Sequence, residues 1–536
     1  MESKNIKLFP TQQTHCDQLL KILNKWPIAL DFSMMGTGKT YTSSFISKLL
    51  KFKHVIVICP VSVYGKWEFM RNEFGINIDN IISFCGLRSV KDHQPKHRLL
   101  SREEQIEKIV KKSMKERKAK TSENNSVGAF ENKFDTELVD KAVFKCTELY
   151  LNYISEGTLL IIDEIQNIKN INSQFECCHE LLNPIIDDQF KNKQLNGHNK
   201  SRAILLSGSP IDKKEQIINM MKLLNIMVHH NLSTYIPHSK KHEWKGFKDV
   251  IDFTTFINPE VLNFIPSQGD GTNEEYINIV YDIFQRYLKP ELSSCMIPLS
   301  NGFVPEKKNA YYNITSDDYK KIETAVDTLK ITCNYDDRTG KIEFKGTSCL
   351  STITKMLMII ESAKLDTMVR IINNKFTENG NLKIVLCVNY TSSIEYLKNK
   401  LSTYNPQILN GSVPSAKREV IMNMFQEPNK KCRLIIGNLS VCSTGIDLDD
   451  QHGNNPRFCL VNPNYSTITL YQLSHRFHRQ NTKSNAIIHF MYSKNKHELP
   501  ILSALANKSV VMKETTSEQV EAGILFPCDF QSFIED

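Results

Sequence analysis

Lys39 and Thr40 close the stretch Asp31-Phe-Ser-Met-Met-Gly-Thr-Gly-Lys-Thr40, and at that spacing both residue types do phosphate chemistry. A lysine ammonium placed there reaches the β- and γ-phosphates of a nucleoside triphosphate, and a threonine hydroxyl beside it binds Mg²⁺. Gly36 and Gly38, on either side of Thr37, let the backbone approach closely. Loop N–H groups and the positive end of the next helix then converge on the phosphates. Ser33 stands where the strict form of this pattern has its first glycine. Far downstream, Asp163-Glu-Ile-Gln166 sets two adjacent carboxylates at the end of an apolar run. Asp163 can hold Mg²⁺ through water, and Glu164 can orient and deprotonate an attacking water. Gln12, about one helix ahead of the loop, carries an amide able to hydrogen-bond an adenine edge. Together these residues point to hydrolysis of ATP with Mg²⁺.

The elements that would position them are strands and helices in alternation. Ile28-Ala-Leu30 reads as a short buried strand before the loop, and Tyr41 to Leu50 as a helix after it, with Phe45, Ile46, Leu49 and Leu50 on one side. A solvated glycine turn would not open a helix at Lys39-Thr40. Val55-Ile-Val-Ile-Cys-Pro60, Thr158-Leu-Leu-Ile-Ile162 and Ala203-Ile-Leu-Leu206 are continuous apolar runs, as in parallel strands covered on both faces. A second series begins at Lys383-Ile-Val-Leu-Cys-Val388, with a helix from Ser392 to Leu401 behind it, and continues through Arg433-Leu-Ile-Ile-Gly437 and Phe458-Cys-Leu-Val461. The fold class expected is α/β: two tandem lobes of parallel sheet flanked by helices, with helical insertions. The domains expected are an ATP-binding lobe over 1–225 with an insertion at about 86–155, a helical inter-lobe region over 226–350, a second lobe over 351–495 and a helical tail over 496–536. Within the insertion, Ser101-Arg-Glu-Glu104 has the spacing of a capping box, Glu107 to Lys120 reads as a charged helix, and Thr121 to Gly128 as a link.

The bulk numbers narrow the class. Of 536 residues, 40% are hydrophobic and 24% charged, the composition of a soluble globular protein. No run is apolar and long enough to cross a bilayer, and Met1-Glu-Ser-Lys-Asn5 lacks signal-peptide anatomy. An intracellular, non-secreted protein with no membrane partner is expected. The net charge of +8 permits an anionic partner without requiring one. The 14 cysteines include no Cys-x-x-Cys pair; Cys59 and Cys387 fall in strand-like runs, and Cys177-Cys178 reads as helix packing. Reduced core thiols are expected rather than disulfides or zinc. His229, His230, His238 and His242 have no carboxylate or cysteine at ligand spacing and read as surface or packing residues.

Several blocks, in order, resemble the Swi/Snf-type ATPases of helicase superfamily 2. Leu8-Phe-Pro-Thr-Gln12 resembles their adenine-reading motif, Met35-Gly-Thr-Gly-Lys-Thr40 their phosphate loop, and Pro60-Val-Ser-Val-Tyr-Gly-Lys-Trp67 the segment after their second strand. Asp163 to Asn170 with Ser173 is similar to the acidic motif, with Gln166 in place of the usual histidine, and Ser207-Gly-Ser-Pro210 to the Thr-Gly-Thr-Pro motif. Val304-Pro-Glu-Lys-Lys308 and Ser316-Asp-Asp-Tyr-Lys320 resemble the segment joining the lobes; the arginine pair that often precedes it is absent, and Ser293-Ser-Cys-Met296 lies in that neighbourhood. Glu361-Ser-Ala-Lys-Leu365, Leu409-Asn-Gly-Ser412 with Arg418 and Phe425, and Ser443-Thr-Gly-Ile-Asp-Leu448 are similar to second-lobe blocks, Asp447 replacing an asparagine. Gln472-Leu-Ser-His-Arg-Phe-His-Arg479 keeps Gln472, Arg476, His478 and Arg479 of the block Gln-x-x-x-Arg-x-His-Arg.

The resemblance covers most of residues 5–495. It implies two RecA-like lobes with ATP and Mg²⁺ in the cleft, nucleic acid across the top of both, and translocation along double-stranded DNA. Lys39, Asp163, Glu164, Gln472, Arg476 and Arg479 would then be catalytic. Gln12, Gly36, Thr37, Gly38, Thr40, Gly445 and Asp447 would bind nucleotide, and Thr40 and Asp163 the metal. Arg476 and Arg479, three apart on one helix face, would be fingers worth roughly 10³–10⁵ in rate. Hydroxyls and backbone near Ser62, Ser207 and Ser443 would contact nucleic-acid phosphates, Ser209 would support the link from nucleotide to nucleic acid, and Gln166 would hydrogen-bond across the lobe interface. Phosphate contacts position without reading sequence, so binding would be salt-sensitive and sequence-independent. The favoured function is a translocase on duplex DNA that remodels or strips bound protein in transcription or replication. A strand-separating DNA or RNA helicase is the alternative. A non-enzymatic clamp is a third, and the intact phosphate loop, carboxylates and arginines argue against it. The lysine-, asparagine- and isoleucine-rich composition, without appended reader domains, suggests a large DNA virus or an AT-rich microbe; the chain resembles the stand-alone Swi/Snf-like ATPases that such viruses encode, and a viral origin would place it in host cytoplasm or nucleus, or in the virion.

Overall fold

Runs such as Val55–Cys59 and Leu159–Ile162 have no polar face to give to water, so they become strands covered on both sides. In the computed structural model, which describes residues 7–88, 98–112, 134–191, 200–236, 238, 241–265, 272–297, 302–335, 342–344, 349–428, 431–479, 481–494 and 498–516, these runs assemble into two separate six-stranded sheets. The first contains β1 (Ile28–Asp31), β2 (His54–Cys59), β3 (Ile78–Ser83), β4 (Thr158–Asp163), β5 (Arg202–Leu206) and β6 (Ser293–Ser294), in the order β6-β1-β5-β4-β2-β3. The second contains β7 (Glu306–Tyr312), β8 (Lys383–Val388), β9 (Gln407–Leu409), β10 (Leu434–Asn438), β11 (Arg457–Val461) and β12 (Ala486–Ser493), in the order β7-β12-β11-β8-β10-β9. Every pairing in both sheets is parallel. Alternate side chains feed cores on opposite faces: Ile56 and Ile58 enter one, Val55, Val57 and Cys59 the other, and Val385 and Cys387 part company with Ile384 and Leu386 in the same way. This is the expected α/β architecture of two tandem lobes of parallel sheet flanked by helices.

Each functional loop leaves the carboxyl end of a strand. Helices α1 (Pro10–Lys25), α2 (Lys39–Leu49) and α3 (Tyr64–Phe74) cover the first sheet around the phosphate loop. The described residues of 226–350 are divided between the lobes. Phe247, Val250, Val261, Tyr281 and Leu292 pack into the first lobe's core, and β6 extends its sheet; β7 then pairs with β12 from Glu306↔Ile487 to Tyr312↔Ser493, and Ile322 and Leu329 join the second core. In the second lobe α4 (Thr467–Ser474) leads to the arginine block. The last described helix, α5 (Leu499–Thr516), buries Ile501 and Leu505 in the second lobe's core and Val511 in the first's.

The insertion departs from the sequence reading. Residues 100–112 and 134–146 pair as an antiparallel hairpin from Leu100↔Cys146 to Lys112↔Phe134, so Ser101 and Glu104 lie in a strand and cap no helix. Ile106, Ile109 and Val110 suit a helix by spacing, but their β-branched types suit a strand equally. The partner that decides lies beyond residues 113–133, where local pattern cannot see it. The rest of the expected charged helix, and the link Thr121 to Gly128, fall outside the described residues. Cys59, Cys177, Cys178 and Cys387 are buried free thiols, and His229 pairs with Asp249 at 2.8 Å. Among the described residues no helix is long and apolar enough to cross a membrane.

Candidate active site

Two glycines fix the phosphate loop between β1 and α2. Gly36 (φ +81°) and Gly38 (φ +94°) both occupy the left-handed region, and a Cβ on Gly38 would lie 2.3 Å from Gln12 Nε2. That amide donates to Thr37 O at 2.8 Å, while its Oε1 accepts from the Phe9 N–H at 3.0 Å. One N–H and one lone pair of Gln12 remain, the complement of an adenine edge. Phe9, Gln12, Met35, Met296, Ile297 and His478 line a small pocket there. Thr37 Oγ1 donates to Met34 O at 2.7 Å, and Lys39 Nζ curls onto the carbonyls of Ser33 (2.8 Å) and Met34 (3.1 Å). Ser33 has a use that glycine could not serve. Its Oγ accepts from Met296 N–H at 2.9 Å, and its own N–H donates to Asp31 Oδ1 at 3.0 Å. Asp31 in turn lies 3.1 Å from His15 Nε2, and His15 Nδ1 lies 2.8 Å from Ser294 Oγ. Burial works to raise the Asp31 pKa, but His15, Lys39 and Ser33 together hold it below the ordinary carboxylate range. Strand β1, helix α1 and strand β6 are thus knit together beneath the loop.

β4 delivers Asp163 as its last residue. Glu164 follows at φ 62°, a left-handed conformation that costs a non-glycine residue about 1–3 kcal/mol. Successive strand residues point to opposite faces; this kink lets both carboxylates line one cleft. Burial, then the charge of Glu164, pushes the Asp163 pKa up to about 7, against a hydrogen bond from Trp67 Nε1 to Oδ2 at 3.0 Å and the charges of Lys39 and Lys66. Gln166 Nε2 donates to Glu164 Oε2 at 2.5 Å, and Ser207 Oγ donates to Gln166 Oε1 at 2.6 Å. Thr40 and Asp163 share the cleft wall. One hydroxyl and one carboxylate suit Mg²⁺, which takes few protein ligands and completes its shell with phosphate oxygens and water, and a buried carboxylate with raised proton affinity gains from a cation. Among the described residues no group of three or more His, Cys, Asp or Glu is placed to hold a metal by itself.

The opposite wall comes from the second lobe. Gln472, on α4, brings Nε2 to 3.5 Å from Glu164 Oε2. Helix α4 ends at Ser474; Arg476 lies in a 3-10 turn, His475–Phe477, and Arg479 in chain that turns extended at His478 (φ −135°). The two arginines therefore do not share a helix face, as their spacing predicts. Their backbones are claimed by loops instead: Arg476 O accepts from Leu448 N–H at 2.8 Å, and Arg479 N–H donates to Thr482 Oγ1 at 2.8 Å. Both side chains still reach the cleft, a cavity of about 450 Å³ shared with Lys39, Thr40, Asp163 and Glu164. Arg476 is buried, which with the nearby Arg479 charge lowers its pKa to about 10, and its Nε donates to Ser443 O at 2.7 Å. Arg479 Nε donates to Asp447 Oδ1 at 2.8 Å, and its Nη1 donates to the carbonyls of His475 and His478. A Cβ on Gly36 would lie 3.5 Å from Arg479 Nη1, so the guanidinium rests against the phosphate loop. Burial works to raise the Asp447 pKa, but Arg479 and Lys66 overcome it and hold it at about 2.

The remaining residues fall differently from the expectation. Ser207, Ser209 and Ser443 are fully or almost fully buried, and Ser443 Oγ donates to Ser440 O at 3.0 Å. The Ser207 and Ser443 hydroxyls are therefore spent within their own lobes. Gln166 bonds within its own lobe; the bond across the interface belongs to Gln472. Gly445 (φ +70°) lies against Ser62 of the other lobe so closely that a Cβ would stand 2.4 Å from Ser62 O. Sequence reasoning missed Lys66 as a cleft residue and Trp67 as the core residue that donates to Asp163. Their signal was their place just after β2, but only the sheet order, which sets β2 beside β4, brings them to Asp163.

Residues 363–481 match the helicase conserved C-terminal domain. With a phosphate loop on the first sheet and this domain on the second, the chain has the parts of an ATP-hydrolysing enzyme of helicase type. Over 488 residues it is 24% identical to the "Putative ATP-dependent RNA helicase L364" of Acanthamoeba polyphaga mimivirus, a match that covers 89% of this chain and 77% of that protein. It is also similar to two solved structures from Sulfolobus solfataricus. One is the SWI2/SNF2 ATPase core in complex with dsDNA, at 16% identity, 96% coverage of each chain and a TM-score of 0.30. The other is the SWI2/SNF2 ATPase core domain, at 16% identity, coverage of 92% of this chain and 87% of that one, and a TM-score of 0.29.

Proposed function

We propose that the protein is an Mg²⁺-dependent motor that uses ATP to move along double-stranded DNA and to remodel or strip bound protein during transcription or replication inside a host cell. The observation that carries this reading is a cleft with walls from two lobes: Lys39, Asp163 and Glu164 on one side, Gln472, Arg476 and Arg479 on the other. Lys39 would exchange its loop carbonyls for the β- and γ-phosphates. Thr40 and Asp163 would hold Mg²⁺, which supplies neutralisation of phosphate charge. Glu164, held by Gln166 and approached by Gln472, would take a proton from the attacking water. The two guanidinium groups would stabilise charge on the transferred phosphoryl. Since the walls belong to different lobes, turnover requires closure, and nucleotide state becomes movement. The hydrogen-bonded run Glu164–Gln166–Ser207 offers a route from that chemistry to the outer end of β5. Gln12 would read adenine with its spare N–H and lone pair.

The deciding experiment compares ATP turnover with duplex DNA, single strands and RNA, alongside unwinding of blunt and tailed duplexes. Duplex-stimulated turnover without strand separation is the expected result. Stimulation by RNA alone, or strand separation, would favour the helicase reading, to which the printed name of the mimivirus relative lends weight. Turnover indifferent to every nucleic acid would sink the motor itself.

A further inference from the structure

Trp67 is fully buried in α3, packed with Val57, Cys59 and Met70 in the core behind the first sheet. Its indole N–H leaves that core and donates to Asp163 Oδ2 at 3.0 Å. A buried indole N–H needs an acceptor. This one is given a carboxylate on the wall of the nucleotide cleft. Indole is a donor only and never charged, so it can hold Oδ2 but cannot compete for a cation or take the proton itself. Oδ1 is the oxygen left over. Asp163 stands beside Glu164 in surroundings that disfavour its charge, and without a fixed donor it would be free to rotate toward Lys39 or Lys66, whose charges it already feels.

We propose that Trp67 is a positioning residue for the nucleotide-bound metal: its N–H pins one oxygen of Asp163 so that the other stays presented to the cation. The role rests on the reading of Asp163 as an Mg²⁺ ligand. Partners that orient a metal-binding side chain are commonly worth 10- to 100-fold in metal affinity. Trp67→Phe keeps the ring and removes the N–H.

The test uses the full chain and a fluorescent ATP analogue, titrated with and without Mg²⁺. In Trp67→Phe the Mg²⁺-free affinity should match the parent, while the Mg²⁺ concentration for half-maximal enhancement should rise about tenfold. A purely packing role would weaken both affinities together, or neither, and either pattern overturns the proposal. A parent protein whose affinity ignores Mg²⁺ overturns the metal assignment and, with it, the role of Trp67. Intrinsic fluorescence gives a second readout that needs no change at Trp67. The chain has three tryptophans; Trp26 donates to Glu291 Oε1 at 2.7 Å and Trp244 stacks on Tyr276, neither on the cleft wall. Adding Mg²⁺ to the nucleotide complex should change emission equally in Trp26→Phe, in Trp244→Phe and in the parent. An unchanged emission, or a change lost with Trp26 or Trp244, overturns the proposal.

Discussion

Arg479 is tethered before any substrate arrives: Asp447 holds its Nε, two carbonyls hold its Nη1, and Gly36 lies beside it. A side chain fixed in this way loses little entropy when it meets the phosphoryl group, which favours a catalytic over a merely attractive role. Arg479→Ala should leave ATP bound but slow single-turnover hydrolysis by at least about a hundredfold. A rate within about twofold of the parent would remove it from the reacting centre. A second residue-scale prediction concerns pH. His489 is buried in β12, with Nδ1 2.6 Å from the Tyr312 hydroxyl; burial, then Lys375 and Lys308, lowers its pKa to about 4. The fold thus prefers the neutral ring. As pH falls from about 6.5 to about 4 the unfolded chain takes up this proton first, so stability drains across that window and is fully present only above it. His489→Phe should flatten the acid side of a denaturant-midpoint profile between those values, even though loss of the His489–Tyr312 hydrogen bond lowers stability throughout by about 0.5–1.5 kcal/mol. An unchanged slope would mean that other groups govern that limb.

At the scale of elements, the strands carry little chemistry themselves and aim the loops that do. The turn after β10 shows how tight the aim is. Gly445 faces Ser62 across the interface with no room for a methyl group and a backbone that only glycine adopts readily. Gly445→Ala must push the two turns apart or distort one of them. Since a misplacement of about 1 Å can cost on the order of a hundredfold in rate, ATP turnover should fall at least about tenfold. Nucleotide affinity, which rests chiefly on the first lobe, should change far less. Steady-state turnover and equilibrium binding on the same preparation distinguish this from unfolding. Equal loss of both would place the damage in folding, not in closure.

At the scale of the whole molecule, α5 is the element that belongs to neither lobe alone. It is anchored by Ile501 and Leu505 in the second core, then crosses so that Val511 enters the first. There Glu514 accepts hydrogen bonds from Tyr281 Oη at 2.8 Å on its Oε2 and from Lys289 Nζ at 2.8 Å on its carbonyl. The helix thus ties the two cores together. Val511→Asp puts a charge into the first lobe's core and should detach that end of the helix. Small-angle scattering should show a larger radius of gyration, with turnover reduced and nucleotide binding retained. An unchanged radius would show that the cleft contacts alone keep the lobes together.

The candidate site was legible in part because much of its pattern is local. Asp163 ends β4 with Glu164 next to it, and Lys39 and Thr40 open α2 after a glycine-containing loop, so a pattern of neighbouring residues already marks all four. The parallel sheets were legible for a similar reason: an apolar run with no wet face has few ways to hide. Partnership was not legible. The charged stretch after Ser101 reads as a helix until a strand beyond residues 113–133 pairs with it. The arginines at 476 and 479 read as one helix face until Leu448 and Thr482 draw the chain out of the helix. Ser207 and Ser443 read as surface hydroxyls until the sheet and its neighbours bury them. Residue types and spacing determined which groups are available for chemistry and which runs become buried strands. The tertiary structure alone decided that Trp67 holds Asp163, that Gln472 is the glutamine that crosses to Glu164, and that α5 belongs to both lobes. Each of those contacts joins segments far apart in the chain, and only the closing of the sheets sets the distance between them.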